Sequence, residues 1–277
     1  MTHPVAQGLA SADPAARRAA CAAAAEDPAG VLLAGALGAA LGDPDKGVAR
    51  AASDALVAIA RRSGGVEDAL RDALHGSSPG ARWGAAYTLA RLEPPAPKLL
   101  PALVEALASG DGDVRWAASR ILVDLGRLHG EVLPLLVGLV RSGDPPVVRR
   151  MAAYALRALA PDRPEAARVL VDATHDPDVA VRRAAFTALA ALEAPPETVA
   201  RRLLEALAGE ADAGSRRLAA LALGELGAAD PASLPEGAAD ALRAAYARAS
   251  DDVDLRRALE RSLQKLGGIE AAAGSKA

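Results

Sequence analysis

Apolar and polar positions recur along the chain in one fixed register: an arginine, a small residue three positions on, a leucine four beyond that, and an aliphatic residue three further. The leucine column is Leu56, Leu89, Leu122, Leu156, Leu189, Leu223 and Leu263, spaced 33, 33, 34, 33, 34 and 40 residues apart, with Ala24 in its place in an earlier copy. The small column runs Ala20, Ala52, Ala85, Ala118, Ala152, Ala185 and Ala219. Offsets of three, four and three lie on one face of an α-helix, so the pattern predicts an inner helix in each of eight copies. A unit of this length cannot bury its apolar face alone and must stack on its neighbours, which predicts an all-α solenoid of helical hairpins.

The predicted inner helices begin near Asp13, Asp45, Ser78, Asp111, Asp144, Asp178, Asp212 and Asp252, residue types whose side-chain oxygens accept from the free N–H groups of a helix start. Proline follows three of them, as Pro14, Pro79 and Pro145, where a missing N–H costs nothing. Between them, residues 31–41, 66–74, 98–108, 132–140, 165–173, 198–208 and 238–249 show helical spacing of their own and form the outer helices. No stretch alternates with period two. The reading is a single solenoid domain over residues 1–266 with a disordered tail at 267–277, whose composition has little to bury.

The string Asp111-Gly112-Asp113-Val114-Arg115-Trp116-Ala117-Ala118 through Leu122, and its counterpart from Asp178 to Leu189, resembles the HEAT repeat in the short bacterial form often named after phycobilisome lyases. The resemblance covers about residues 12–266. It implies an α-α superhelix of the HEAT/armadillo type, with inner helices on the concave side, acting as a non-catalytic scaffold for a protein partner. It also implies that turn aspartates and helix arginines (Asp111 and Arg115, Asp178 and Arg182, Asp212 and Arg216) form a ladder of hydrogen bonds between neighbouring repeats, a structural rather than ligand-binding role.

Hydrophobic residues make up 51% of the 277 and aromatics only 2%, so the core must be thin layers of alanine and leucine between closely packed helices. The net charge of −3 supplies no global field for nucleic acid or an anionic membrane, and neither partner is expected. The single cysteine, Cys21, reads as a buried inert thiol and fits a reducing cytoplasm. No signal sequence or membrane-spanning run is evident.

With each copy in register, the face opposite the apolar columns falls on the residue after the ladder arginine and the one four further on. The first of these columns reads Arg18, Arg50, Trp83, Trp116, Arg150, Arg183, Arg217 and Arg257; the second reads Ala22, Asp54, Tyr87, Arg120, Tyr154, Thr187, Leu221 and Arg261. Four of the six aromatic residues of the chain stand in these two columns, all within the third to fifth copies. Trp83, Tyr87, Trp116, Arg120, Arg150 and Tyr154 are therefore the predicted partner-binding patch, because Trp, Tyr and Arg join large desolvated area to a polar handle. The expected ligand is a protein or peptide, acidic or extended, or a small anionic aromatic group. The competing reading is that the two tryptophans cover gaps beside Gly84 and Ala86 or stack on arginines.

The four histidines stand apart from one another and from cysteine, so no metal site is expected, and no cofactor motif or catalytic constellation appears. HEAT-like deoxyhypusine hydroxylases hold two irons through His-Glu dipeptides, whereas here the residues after histidine are Pro4, Gly76, Gly130 and Asp176. HEAT-like DNA glycosylases line a basic groove with Trp, Arg and a catalytic Asp, for which Asp54 and Asp124 are the inward acidic candidates. These enzyme and nucleic-acid readings, with a lyase-like one, are the alternatives to a binding scaffold. Residues 31–41 carry no charge, and are either covered by residues 1–26 or left open for weak self-association.

Overall fold

The computed structural model describes residues 4–159, 163–192 and 197–267. Among these, every regular element is helical: α1 Pro4–Leu9, α2 Pro14–Glu26, α3 Ala34–Ala40, α4 Lys46–Ser63, α5 Glu67–His75, α6 Pro79–Leu92, α7 Leu100–Ala106, α8 Gly112–Leu128, α9 Val132–Ser142, α10 Pro146–Leu159, α11 Pro164–Ala173, α12 Val179–Leu189, α13 Glu197–Gly209, α14 Ala213–Ala229, α15 Ala238–Arg248 and α16 Val253–Lys265. The chain forms two compact units, Met1–His129 and Gly130–Ala277. In the first, inner helices α2, α4, α6 and α8 stack in order, and each of the outer helices α3, α5 and α7 packs on the inner helix that follows it. In the second, α10, α12, α14 and α16 stack in the same way, with α9, α11, α13 and α15 outside them. Residues 268–277, which hold nearly all of the expected tail, lie outside the described residues.

Seven of the eight inner helices start at the expected cap, with Asp13, Asp45, Ser78, Asp111, Asp178, Asp212 and Asp252 each accepting from an amide two or three residues on. The exception is α10, which begins at Pro146, in the copy where Arg149 stands five residues after Asp144 rather than four. The leucine column forms the core: Leu56, Leu122, Leu156, Leu189 and Leu223 are wholly buried. So is most of the column just after the small residue, occupied by Cys21, Ser53, Ala86, Ser119, Ala153, Phe186 and Ala220. Short side chains in this column let neighbouring inner helices approach closely.

Cys21 is fully buried in α2, and burial, reinforced by the nearby Asp43 charge, pushes its thiol up to about 11. The thiolate is the reactive species. A thiol reagent at pH 8 is therefore expected to leave the native protein unlabelled and to label it fully in urea; rapid labelling of the native chain would contradict the burial.

The arginine ladder differs in detail from the one the sequence resemblance implies. Six ladder arginines fold back six residues, Nη1 donating to the carbonyl of the arginine's own turn: Arg17 to Ser11, Arg82 to Gly76, Arg115 to Ser109, Arg149 to Gly143, Arg182 to Asp176 and Arg216 to Glu210. The other edge of the guanidinium is offered to an acid further along the chain. Arg17 reaches Asp43, Arg149 reaches Asp176, and Arg182 reaches Glu210, all two residues before the next cap; Arg82 takes Glu105 from α7 instead. Asp111, Asp178 and Asp212 each accept from the amides of their own helices, and among the described residues none of the three pairs with the ladder arginine of its own or the preceding copy. Arg216 lies 3.8 Å from Asp252, and Arg115 keeps its Nε buried with no acceptor among the described residues.

The uncharged stretch 31–41 becomes a 3₁₀ turn followed by α3. Leu33, Ala34, Leu37 and Leu41 are buried, and α1 packs on both α2 and α3. The outward side keeps Leu32, 79% exposed, beside Gly35, Ala36 and Ala39. Among the described residues no helix is long and apolar enough to cross a membrane.

Candidate functional site

In the first unit the inner helices α4, α6 and α8 line an open cavity of about 290 Å³. Trp83 and Tyr87, one turn apart on α6, line it, with ring centroids 5.5 Å apart and planes tilted by 37°. The stack continues to Arg91, whose guanidinium carbon lies 5.5 Å from the Tyr87 ring centroid. Arg91 is fixed in turn by Ser53 Oγ at 2.9 Å and Asp54 at 2.8 Å, and the same Ser53 hydroxyl is hydrogen-bonded to Thr88 Oγ1, which itself donates to the Gly84 carbonyl. Three consecutive turns of α6 thus present aromatic, aromatic and cation along one face, held by polar groups of α4.

Glycine makes the close packing behind this face. A Cβ on Gly84 would lie 2.8 Å from Leu41 Cβ and 2.9 Å from the Leu41 carbonyl oxygen, so only a residue without one lets α6 sit against the end of α3. That contact brings Leu41 into the cavity beside the two rings.

Of the two remaining walls, the α4 side carries two cations beside Asp43, which is paired with Arg17, and the α8 side carries two acids. On α4, Lys46 and Arg50 stand one turn apart; at the start of α8 are Asp111 and Asp113. Lys46 forms an ion pair with Asp111, which holds the Asp111 carboxyl below the usual range. Arg50 is exposed and has no ion-pair partner among the described residues.

The predicted patch is therefore only partly gathered. Trp83 and Tyr87 share the cavity, while Trp116, 52% exposed, and Arg120 stand one turn apart on α8 outside its lining. Arg150 and Tyr154, half-buried, lie on α10 of the second unit. The residues that reasoning along columns did not select are Lys46, Asp111 and Asp113. Arg50 stood in the inward column, and Lys46 one turn before it was the available signal. The inward acids Asp54 and Asp124 are each engaged by an arginine, Arg91 and Arg127, at 2.8 Å. Among the described residues no cluster of His, Cys, Asp and Glu could hold a metal ion.

A wider groove of about 560 Å³ lies at the C-terminal ends of α4 and α6, against α5. Its floor of Leu70, Leu74 and Leu89 is apolar, but its charges are largely satisfied locally, Lys98 by Glu93 and Arg71 by Asp68. The α4–α6–α8 cavity combines two half-buried aromatic rings with an exposed arginine that has no ion pair among the described residues.

Helical hairpins stacked inner on inner and outer on outer define an α-solenoid. The chain belongs to the HEAT-repeat family: the HEAT repeats model matches residues 33–121, 67–157, 100–190 and 134–224, together more than half of the sequence. Among solved structures, importin beta is similar over 95% of this chain and 40% of its own, with 15% identity and a TM-score of 0.60. A Kap121p mutant is similar over 95% of this chain and 33% of its own, with 16% identity and a TM-score of 0.61. The protein YibA of Escherichia coli covers 95% of this chain and 91% of its own, with 20% identity and a TM-score of 0.56. The chain thus spans less than half the length of the two importin-type structures, and identities this low establish the fold alone. Among curated proteins none matches the chain in sequence.

Proposed function

We propose that the protein is a non-catalytic scaffold that binds an extended, acidic segment of a partner protein on the inner-helix face of α4, α6 and α8. The observation that carries this reading is the cavity in which Trp83 and Tyr87 lie beside Lys46 and Arg50. At about 290 Å³ it is near the small end of ligand sites, which run from roughly 300 Å³ upward, and suits one or two side chains of a longer segment better than a cofactor. Arg50 and Arg120 are exposed cations without ion pairs among the described residues, and they flank the aromatic rings along the chain. An acidic segment supplies what these guanidiniums lack, and its apolar side chains supply what the rings bury. Within the family we read the chain as one of the short bacterial class, acting without bilin chemistry in a reducing cytoplasm, where its one thiol stays reduced.

Replacing Trp83 and Trp116 together by alanine is expected to leave helical circular dichroism and a cooperative melt in place, while affinity for a partner captured by the wild type falls by about thirtyfold or more, the loss typical of removing an aromatic hot spot. Retention of that partner by the folded double variant would overturn the reading.

A further inference from the structure

Along the inner face, two cap aspartates take an arginine from the inward column of the preceding repeat. Arg18 reaches Asp45 at 3.3 Å, and Arg183 reaches Asp212 through two hydrogen bonds of 2.9 and 2.6 Å. The same column holds Trp83 ahead of Asp111, and an indole ring cannot play that part. Lys46, from the repeat before that, reaches Asp111 instead. It is 76% exposed on its side chain, and it lines the same cavity as the residue one turn after it, Arg50.

The two oxygens of Asp111 divide their work. Oδ1 accepts from the Asp113 amide at 2.9 Å and caps α8, while Oδ2 alone receives Lys46. Lys46 can therefore leave without uncapping the helix. Water competes for the exposed Lys46 ammonium, while the Asp111 side chain is only 20% exposed, so the lysine is the partner that can leave. Released, Lys46 and Arg50 become two cations at i and i+4 on α4, beside an aromatic floor and facing one incoming acid.

We propose that Lys46 is an exchangeable latch across the aromatic cavity: a carboxylate of the acidic partner segment displaces Asp111 from Lys46 and is then held between Lys46 and Arg50. This rests on the reading of the α4–α6–α8 face as the binding surface. Asp111 is then an internal competitor for the cation, and it sets the affinity below what the two cations alone would give.

The probe is a labelled glutamate-rich peptide carrying phenylalanine, followed by fluorescence anisotropy, with a lysine-for-glutamate peptide as its control. Asp111→Asn keeps a good cap but weakens the competing acceptor, and is expected to tighten binding about two- to fivefold, the range set by an exposed ion pair. Lys46→Gln with Arg50→Gln is expected to weaken binding by about tenfold or more, as loss of both charge-assisted contacts implies. The lysine peptide is expected not to bind. Unchanged or weaker binding by folded Asp111→Asn, or wild-type binding by the Lys46/Arg50 variant, would overturn the latch. An Asp111→Asn protein that melts earlier with unaltered affinity would do the same, by showing the pair to be a structural tie. Trp83→Ala separates the two levels: if it abolishes peptide binding while the charge variants change nothing, the binding face stands and the latch falls, whereas full peptide binding by Trp83→Ala removes the face itself.

Discussion

Phe186→Ala is expected to lower stability by about 3–5 kcal/mol, the cost of emptying a buried aromatic site that cannot collapse. Phe186 is fully buried in α12, in a column otherwise filled in buried copies by Cys21, Ser53, Ala86, Ser119, Ala153 and Ala220. Its ring lies under the Arg202 guanidinium, whose carbon is 5.7 Å from the ring centroid, and Arg202 Nε donates to Thr174 Oγ1 at 2.7 Å. The ring therefore supports a hydrogen bond between α13 and the end of α11 as well as filling space. Alanine leaves a void, and because the core of each repeat packs only on its neighbours, the hairpins on either side have no other element to close it. Urea unfolding of the variant should show the loss at the midpoint, and Phe186→Leu should recover most of it. A loss below about 1 kcal/mol would mean that the surrounding helices collapse into the space.

Much of this architecture was legible because the repeat supplies its own internal control. The leucine column and the aspartate or serine before each arginine recur at a fixed offset, so a helix start at Asp45 or Asp178 follows from the period, and the structure places caps at both. Phe186 was harder to place. One residue past the small column, it sits where the facing helix decides burial, and the sequence of α12 alone does not carry the position of Arg202. The ladder shows a different limit. A turn with several acids leaves open which carboxylate turns inward, and capping geometry, not spacing, assigns Asp178 to its own helix and Asp176 to Arg149. The site was half legible for a similar reason. Columns align equivalent positions of successive helices, which picks out Trp83, Tyr87 and Arg50; the pairing of Lys46 with Asp111 skips one repeat and joins non-equivalent positions. No one-dimensional register displays such a contact.

Asp176→Ala is expected to cost about 3–5 kcal/mol at neutral pH, because it leaves a nearly buried guanidinium without its counter-charge. The side chains of Arg149 and Asp176 are 14% and 8% exposed, and two hydrogen bonds of 2.7 and 3.0 Å join them in a forked pair. Asp176 Oδ1 also accepts from the Asp178 amide at 2.8 Å, so the substitution unties the turn before α12 as well. Removing both charges, with Arg149→Met and Asp176→Leu, should cost less than Asp176→Ala alone, since no uncompensated charge then remains. The pH dependence provides an independent check. Burial alone would raise the Asp176 carboxyl, but the Arg149 guanidinium and the Asp178 amide outweigh it and hold the group below the usual carboxylate range. A folded-state pKa depressed in this way stabilises the fold fully above the unfolded value of about 4, and that contribution disappears as the pH falls through the folded value. The gap in urea midpoint between wild type and Asp176→Ala should therefore be widest near pH 7 and narrow progressively as the pH falls below the unfolded value of about 4 and through the lower folded value. A gap of constant size across that range would mean that the charged carboxylate does not carry the effect.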